Sequence, residues 1–361
     1  MSRILVIGGG AIGLLTAREL ATAGAHVTLI ERGETGRESS WAGGGILSPL
    51  YPWRYADSLT ALARWSQARY TDLCRELQMA SGVDPECLPS GLLILDPEER
   101  ADALAWAKAH QSRMERIEPA DLAELEPALS PVTDGALWLP EIGQVRNPRF
   151  ARALRRAVEA RVEVREHEEV SELLVTAGRI QGVRTRQGIL EADQVVVCAG
   201  AWTATLLAQL GAAPAVEPVR GQMMVFLTQP GQIRHIVLYR DRYIIPRQDG
   251  HVLIGSTLEY TGFDKSTTAE AKEQLYRAAG TLFPLLLHSP IEHHWAGLRP
   301  GSPNGIPYIG AHPQVEGLYF NAGHFRNGVV TGPASARLVA DLMLKRPPIL
   351  DPTPYALHAQ R

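Results

Sequence analysis

Gly8, Gly10 and Gly13 form G-x-G-x-x-G near the start of the chain, with Ala11 and Ile12 between the last two. In this spacing the first glycine permits a tight turn. The second lets a pyrophosphate approach the backbone, and the third lets a helix pack closely on a strand. Amides at the helix start then direct partial positive charge at the phosphates. Glu31-Arg32 follows, with Glu31 18 residues after Gly13, where an acid hydrogen-bonds a ribose hydroxyl. Just beyond lies Ser39-Ser40-Trp41-Ala42-Gly43-Gly44-Gly45-Ile46. Its small residues and hydroxyls either admit a phosphate and a flat ring against the backbone or form a surface loop. His293-His294 could suggest a metal, but neighbouring strand residues point to opposite faces, so no metal site is expected. Cys74, Cys87 and Cys198 show no CxxC spacing and read as free thiols.

These groups need a scaffold. Residues 3–7 read as a buried parallel strand, 11–23 as a helix stopped by Gly24, and 26–30 as a second strand. Strand, glycine turn, helix, strand and terminal acid thus occur in the order a dinucleotide fold requires. The motif alone does not separate FAD from NAD. Its place at the start, with no second copy later, favours a bound flavin. Helices are expected at 58–80, 97–111, 119–125, from Asn147 (N-cap) and Pro148 to about 160, at 202–209, 267–279 and 328–345. Strands are expected at 91–95, 162–165, 170–175, 179–185, 193–198, 291–298 and 318–322. An antiparallel meander is expected over 216–228, 234–239, 242–247 and 251–256. A parallel opening and an antiparallel middle predict an α/β chain of two interleaved domains.

The chain resembles glycine oxidase, within the D-amino-acid oxidase and sarcosine oxidase superfamily. The resemblance spans nearly the whole length. It rests on Val6-Ile7-Gly8-Gly9-Gly10-Ala11-Ile12-Gly13, Gly44-Gly45-Ile46 and Tyr243-Ile244-Ile245-Pro246-Arg247. More specific are Trp295-Ala296-Gly297-Leu298-Arg299-Pro300-Gly301, Pro307-Tyr308-Ile309-Gly310 and Ala322-Gly323-His324-Phe325-Arg326-Asn327-Gly328. The resemblance implies a Rossmann-like FAD-binding domain (1–48, 145–213, 305–346). A smaller α+β substrate domain with an antiparallel sheet (49–144, 214–304) and a surface tail (347–361) complete the division. It implies that Arg299, Tyr243 and Arg326 bind substrate, Arg299 through its carboxylate, as a planar guanidinium can. It implies FAD contacts at Glu31, Arg32, Ser39, Ser40, Gly44, Gly45, Ile46 and Val170. Further contacts are implied along His324, Phe325, Arg326, Asn327, Gly328, Val329 and Val330, where a helix start would face the flavin edge that gains charge on reduction. A hydride would pass from the substrate α-carbon to the flavin, giving an imine, then ammonia and an oxo acid. Oxygen would reoxidise the flavin to give peroxide.

Some positions depart from the family. The Tyr239–Tyr243 segment is one residue shorter, with Tyr243 anchored by the following Pro246-Arg247. Arg242 adds positive charge toward the mouth. Ile46 and Leu258 replace methionines of the pocket wall. No cysteine lies in 199–361, so the FAD is expected to be non-covalent.

Of 361 residues, 45% are hydrophobic and 21% charged, a globular balance with enough chain for two cores. A net charge of −3 gives no reason to expect nucleic acid or an anionic membrane. No apolar run is long enough to span a bilayer, and the short run before Gly8 is no signal peptide. A cytoplasmic homo-oligomer is expected, taking a small amino acid and oxygen. Readings that share these motifs are a dehydrogenase of D-amino acids or secondary amines feeding a quinone, the flavin domain of a tRNA-modifying enzyme, and a non-catalytic flavoprotein. If glycine is the substrate, the resemblance implies that the imine can feed thiazole synthesis for thiamine.

Overall fold

A computed structural model describes residues 3–95, 98–131 and 134–360. Arg3–Ile7 lies inside a six-stranded sheet, parallel to His26–Ile30 on one side and Gln194–Val197 on the other. Glu163–Arg165 extends one edge and Leu318–Ala322 the other, both parallel, before Tyr308–Ala311 closes antiparallel. Alternation sends Ile4 and Val6 to one face and Leu5 and Ile7 to the other. The first pair joins Leu14 and Leu20 of helix Ala11–Thr22 and Leu338 of helix Gly328–Met343. The second pair meets Leu173, Ile180 and Val183 of a three-stranded antiparallel sheet.

The second sheet has eight strands in the order Ile291–Gly301, Glu217–Leu227, His251–Gly255, Arg242–Pro246, Ile236–Tyr239, Leu92–Leu95, Ala136–Leu139, Glu115–Ile117. The expected meander forms its centre. The sheet is nevertheless mixed, because Leu92–Leu95, from earlier in the chain, joins Ile236–Tyr239 in parallel. One face buries Met224, Phe226, Ile244 and Ile254 beside helix Ala269–Leu282. The other carries Met223, Tyr243 and Ile245.

Several expectations need correction. The helix expected over 58–80 is two helices, Asp57–Gln67 and Tyr70–Ser81. The ladder tightens at Arg69, whose amide donates to the Ser66 carbonyl at 2.9 Å, and no glycine or proline marks the break. Asn147 is the first helical residue rather than the cap. Its side-chain amide donates instead to the Ser40 carbonyl at 2.8 Å, so the helix start braces the second glycine run. The helix expected from 97 runs Arg100–Ala109; residue 97 itself lies outside the described residues. Strands Glu115–Ile117, Ala136–Leu139, Gly188–Glu191 and Tyr308–Ala311 were not expected. The tail runs mostly along the surface but is pinned by buried Tyr355, whose hydroxyl donates to the Ser58 carbonyl at 2.7 Å.

Candidate active site

The two sheets meet at a cavity that runs from the first glycine turn to Arg299. At one end, Gly8 has φ +107°, and a Cβ there would overlap the Cys198 carbonyl. A Cβ at Gly13 would overlap the Gly8 carbonyl. Both positions therefore require glycine. Gly10 differs, since a Cβ there would meet only the Ser40 hydroxyl, at 3.2 Å. Its open side faces the cavity beside Ala11 and Ile12. The Ala11 amide, at the start of its helix, donates to the Ser40 hydroxyl at 2.8 Å.

Glu31 has both carboxylate oxygens on backbone amides, Gly9 at 2.7 Å and Gly33 at 2.9 Å. It braces the glycine turn and is not part of the cavity wall. Arg32 lies over the Trp202 ring at 3.5 Å and pairs with Glu38 at 3.2 Å. Val170 sits half-buried opposite Thr185 and, like Arg32, outside the wall.

Ser39, Ser40, Gly44, Gly45 and Ile46 all line the middle of the cavity. Buried Arg247 holds this run: its guanidinium donates to the Gly44 carbonyl at 2.8 Å and the Val145 carbonyl at 3.0 Å. Burial pulls Arg247 down to about 10 from its ordinary 12.5. A Cβ at Gly44 would come within 2.6 Å of Ile245 Cδ1 and 3.2 Å of the Tyr243 ring, so the glycine run lies directly on the second sheet.

His324, Phe325, Arg326, Gly328 and Val329 close the far side, while Asn327 and Val330 sit behind it. Helix Gly328–Met343 starts here, so its first amides lack intrahelical partners. Pro333 lacks the amide that would bond the Val329 carbonyl. The Tyr70 hydroxyl donates to that carbonyl instead. The Ala334 amide donates to Ser66 Oγ at 3.0 Å. Two residues from the broken helix pair thus bond the helix backbone around Pro333, behind the cavity wall. Burial pushes His324 down from its ordinary 6.5 to about 3, and its Nε2 is buried without a partner.

At the other end, Gly221 and Met223 share a face of the sheet with Gly297 and Arg299, Gly221 standing opposite Gly297. All four line the cavity with Tyr243. The Arg299 guanidinium lies flat against Gly221, where a Cβ would overlap both Nη atoms. Nη2 donates to Ser256 Oγ at 2.6 Å, and Nη1 to the Thr257 carbonyl at 3.2 Å and the Arg220 carbonyl at 3.4 Å. Burial, and then the neighbouring Arg326, hold Arg299 below the usual guanidinium range, against an opposing pull from Tyr243. Tyr243 is buried and donates to Met223 Sδ at 3.6 Å. Among the described residues, no acid pairs with Arg299 or Arg326, and no Asp or Glu lines the cavity. Leu258 is not a wall residue as expected. It is 45% exposed, and Met223 supplies the wall's thioether. Arg242 turns back to the Ser256 carbonyl at 2.8 Å.

Motif spacing exposed the glycine turn, and the resemblance exposed the arginines. Gly221, Met223 and Asn321 went unnoticed, and Gly297 entered only within a motif and without a role, because strand pairing brings them to the wall. The cavity fits a flavin dinucleotide. Its first end offers the open side of Gly10 and a helix start. Its middle offers bare glycine backbone for a flat ring, and its wall carries unpartnered His324 Nε2 and Asn321 Oδ1. Among the described residues, no group of three His, Cys, Asp or Glu is placed to hold a metal, and no helix is long and apolar enough to cross a membrane.

Residues 3–342 match the family described as FAD dependent oxidoreductase. The protein named glycine oxidase from Pseudomonas aeruginosa is 49% identical over 356 residues, covering 98% of each chain. A protein named bifunctional protein ThiO/ThiG, from Nostoc, is 31% identical over 95% of this chain and 53% of its own. The crystal structure of glycine oxidase from Geobacillus kaustophilus superposes with a TM-score of 0.94 at 30% identity, covering all of both chains. With the glycine turn, the bare-backbone run and the unpaired arginines in one cavity, this chain belongs to the FAD-dependent oxidoreductases, in the company of glycine oxidases.

Proposed function

We propose that this protein oxidises glycine and other small amino acids or amines (sarcosine, D-alanine, D-proline) with FAD. Oxygen is the acceptor, and the products are an imine or oxo acid, ammonia and hydrogen peroxide. One observation carries the substrate class: two guanidinium groups face one cavity and, among the described residues, neither forms an ion pair with an acid. Like charges this close, in a half-buried site, favour an anionic ligand. The relatives named glycine oxidase support the small amino acid as that ligand.

In this reading Arg299 binds the carboxylate by two parallel hydrogen bonds and fixes the α-carbon. Tyr243 donates its hydroxyl to the same group, and Arg326 adds charge from the opposite wall. The glycine run admits the flavin, and Arg247 fixes that run. Bound FAD supplies the electron sink and the reaction with oxygen. The protein orients and polarises, and no side chain is required as a base at the α-carbon. Domains divided at 1–48, 145–213 and 305–346 against 49–144 and 214–304 place FAD in the first and the carboxylate grip in the second. Glu31 and Arg32, Val170, Asn327 and Val330 serve the FAD from positions around its wall. In this reading the protein is a cytoplasmic homo-oligomer, and its imine supplies thiazole synthesis, a role that the relative named bifunctional protein ThiO/ThiG supports.

Peroxide release across glycine, sarcosine, D-alanine and D-proline tests this, in wild type and Arg299→Ala. Activity on glycine, with KM raised at least ~100-fold in the variant, is expected. Flavin reduction without peroxide would point to a dehydrogenase. Unchanged KM in the variant would defeat the carboxylate assignment.

A further inference from the structure

Arg299 can meet a carboxylate by either of two edges, and its surroundings select one. A guanidinium has five N–H donors. Both Nη1 donors point at backbone carbonyls, those of Thr257 and Arg220. One Nη2 donor goes to Ser256 Oγ at 2.6 Å. The second Nη2 donor and Nε–H are not taken by these three acceptors, and the one further group that hydrogen-bonds the guanidinium is the Tyr243 side chain, itself a wall residue of the cavity. These two donors lie side by side on one edge of the plane, spaced for the two oxygens of a carboxylate.

The acceptors that consume the other donors are themselves held. The Gln222 amide donates to Thr257 Oγ1 at 2.9 Å, and the Thr257 hydroxyl donates to Glu259. Glu259 pairs with buried Arg220 at 2.5 Å. Ser256 is 1% exposed, on the segment that this network fixes to the sheet. Gly221 supplies the bed on which the plane rests, since any Cβ there would occupy the space of both Nη atoms.

We propose that Ser256 is a positioning residue for substrate binding. With Gly221 it locks the Arg299 plane so that the Nε–Nη2 edge, rather than the Nη1–Nη2 end, takes the carboxylate of the amino acid. This rests on the reading of Arg299 as the carboxylate binder. Without the Ser256 hydroxyl, Nη2 loses its anchor and the plane can swing about its last bonds. Binding of any small carboxylate then weakens, while the bond-breaking step of a bound substrate proceeds from the same geometry.

The test uses the FAD-loaded enzyme and acetate, a carboxylate that cannot be oxidised here, titrated by the flavin absorbance change. Wild type, Ser256→Ala, Gly221→Ala and Arg299→Ala are compared, with KM and kcat for glycine measured on each. Ser256→Ala is expected to weaken acetate binding about 5–50-fold and to raise the glycine KM by a similar factor, with kcat within about two-fold. Gly221→Ala, which pushes the plane off its bed, is expected to weaken both further. If Arg299→Ala loses acetate while Ser256→Ala binds it as wild type does, the positioning role is overturned and the carboxylate reading stands. If Ser256→Ala lowers kcat and leaves KM unchanged, the role is likewise overturned. If Arg299→Ala binds acetate normally, the parent reading fails first.

Discussion

Replacing Tyr70 by Phe removes one oxygen atom from behind the cavity wall. The Val329 carbonyl, deprived of a helical donor by Pro333, then loses the hydroxyl that replaced it. Tyr70 is 2% exposed, so water does not easily take its place. Leaving a buried acceptor unsatisfied costs about 1–3 kcal/mol. Unfolding entropy of roughly 2.1 cal/mol/K per residue, over 361 residues, gives roughly 0.76 kcal/mol/K. The apparent Tm of the FAD-loaded enzyme should therefore fall by about 1–4 °C. A double-mutant cycle isolates the cause. Pro333→Ala restores the amide that Val329 lacks, so Tyr70→Phe in that background should cost at least about 0.5 kcal/mol less. Differential scanning of the four proteins measures this. Additive effects, or a Tyr70→Phe protein as stable as wild type, would refute the substitution of the Tyr70 hydroxyl for the missing helical donor.

Other variants probe the remaining walls. Gly45 has φ +81°, and a Cβ there would overlap the Val145 carbonyl and Asn147. Gly45→Ala should therefore cost about 2–5 kcal/mol and purify with little FAD, as flavin absorbance relative to protein would show. Because His324 is held near 3, below its ordinary 6.5, the unfolded chain binds the extra proton. That stability contribution is complete above the unfolded pKa and is lost as pH falls, by about 2 kcal/mol at pH 5. His324→Asn should flatten the decline in Tm between pH 7.5 and 5, and an unchanged slope would contradict the neutral buried imidazole. Arg326→Ala removes a like charge beside Arg299 along with a cation that faces the substrate. It should raise the glycine KM by about 10-fold or more, and an unchanged KM would assign Arg326 to the flavin alone.

The nucleotide end of the site was legible because its chemistry is local. Gly8, Gly10 and Gly13 act within one turn, and spacing alone states their roles. The opposite end is assembled across strands. Gly221 reaches Arg299 only because Glu217–Leu227 pairs with Ile291–Gly301 in one register, and no local pattern encodes that pairing. Helical periodicity ran smoothly over 58–80, yet the chain breaks at Ala68–Arg69 without a breaker residue. Asn147 had the composition of a cap, but its amide found a carbonyl on the neighbouring glycine run. Leu258 was assigned to the wall by likeness of position, and it is 45% exposed on a segment that stays beside the sheet, since the next residue, Glu259, pairs with Arg220.

Anaerobic reduction of the bound flavin by glycine, followed by absorbance in wild type and Arg299→Ala, tests the central claim most directly. Bleaching in wild type should saturate with glycine. In the variant it should require at least ~100-fold more glycine at unchanged FAD content. A flavin that glycine cannot bleach, or one that bleaches with the same saturation when Arg299 is gone, would contradict a carboxylate held by this guanidinium beside the ring.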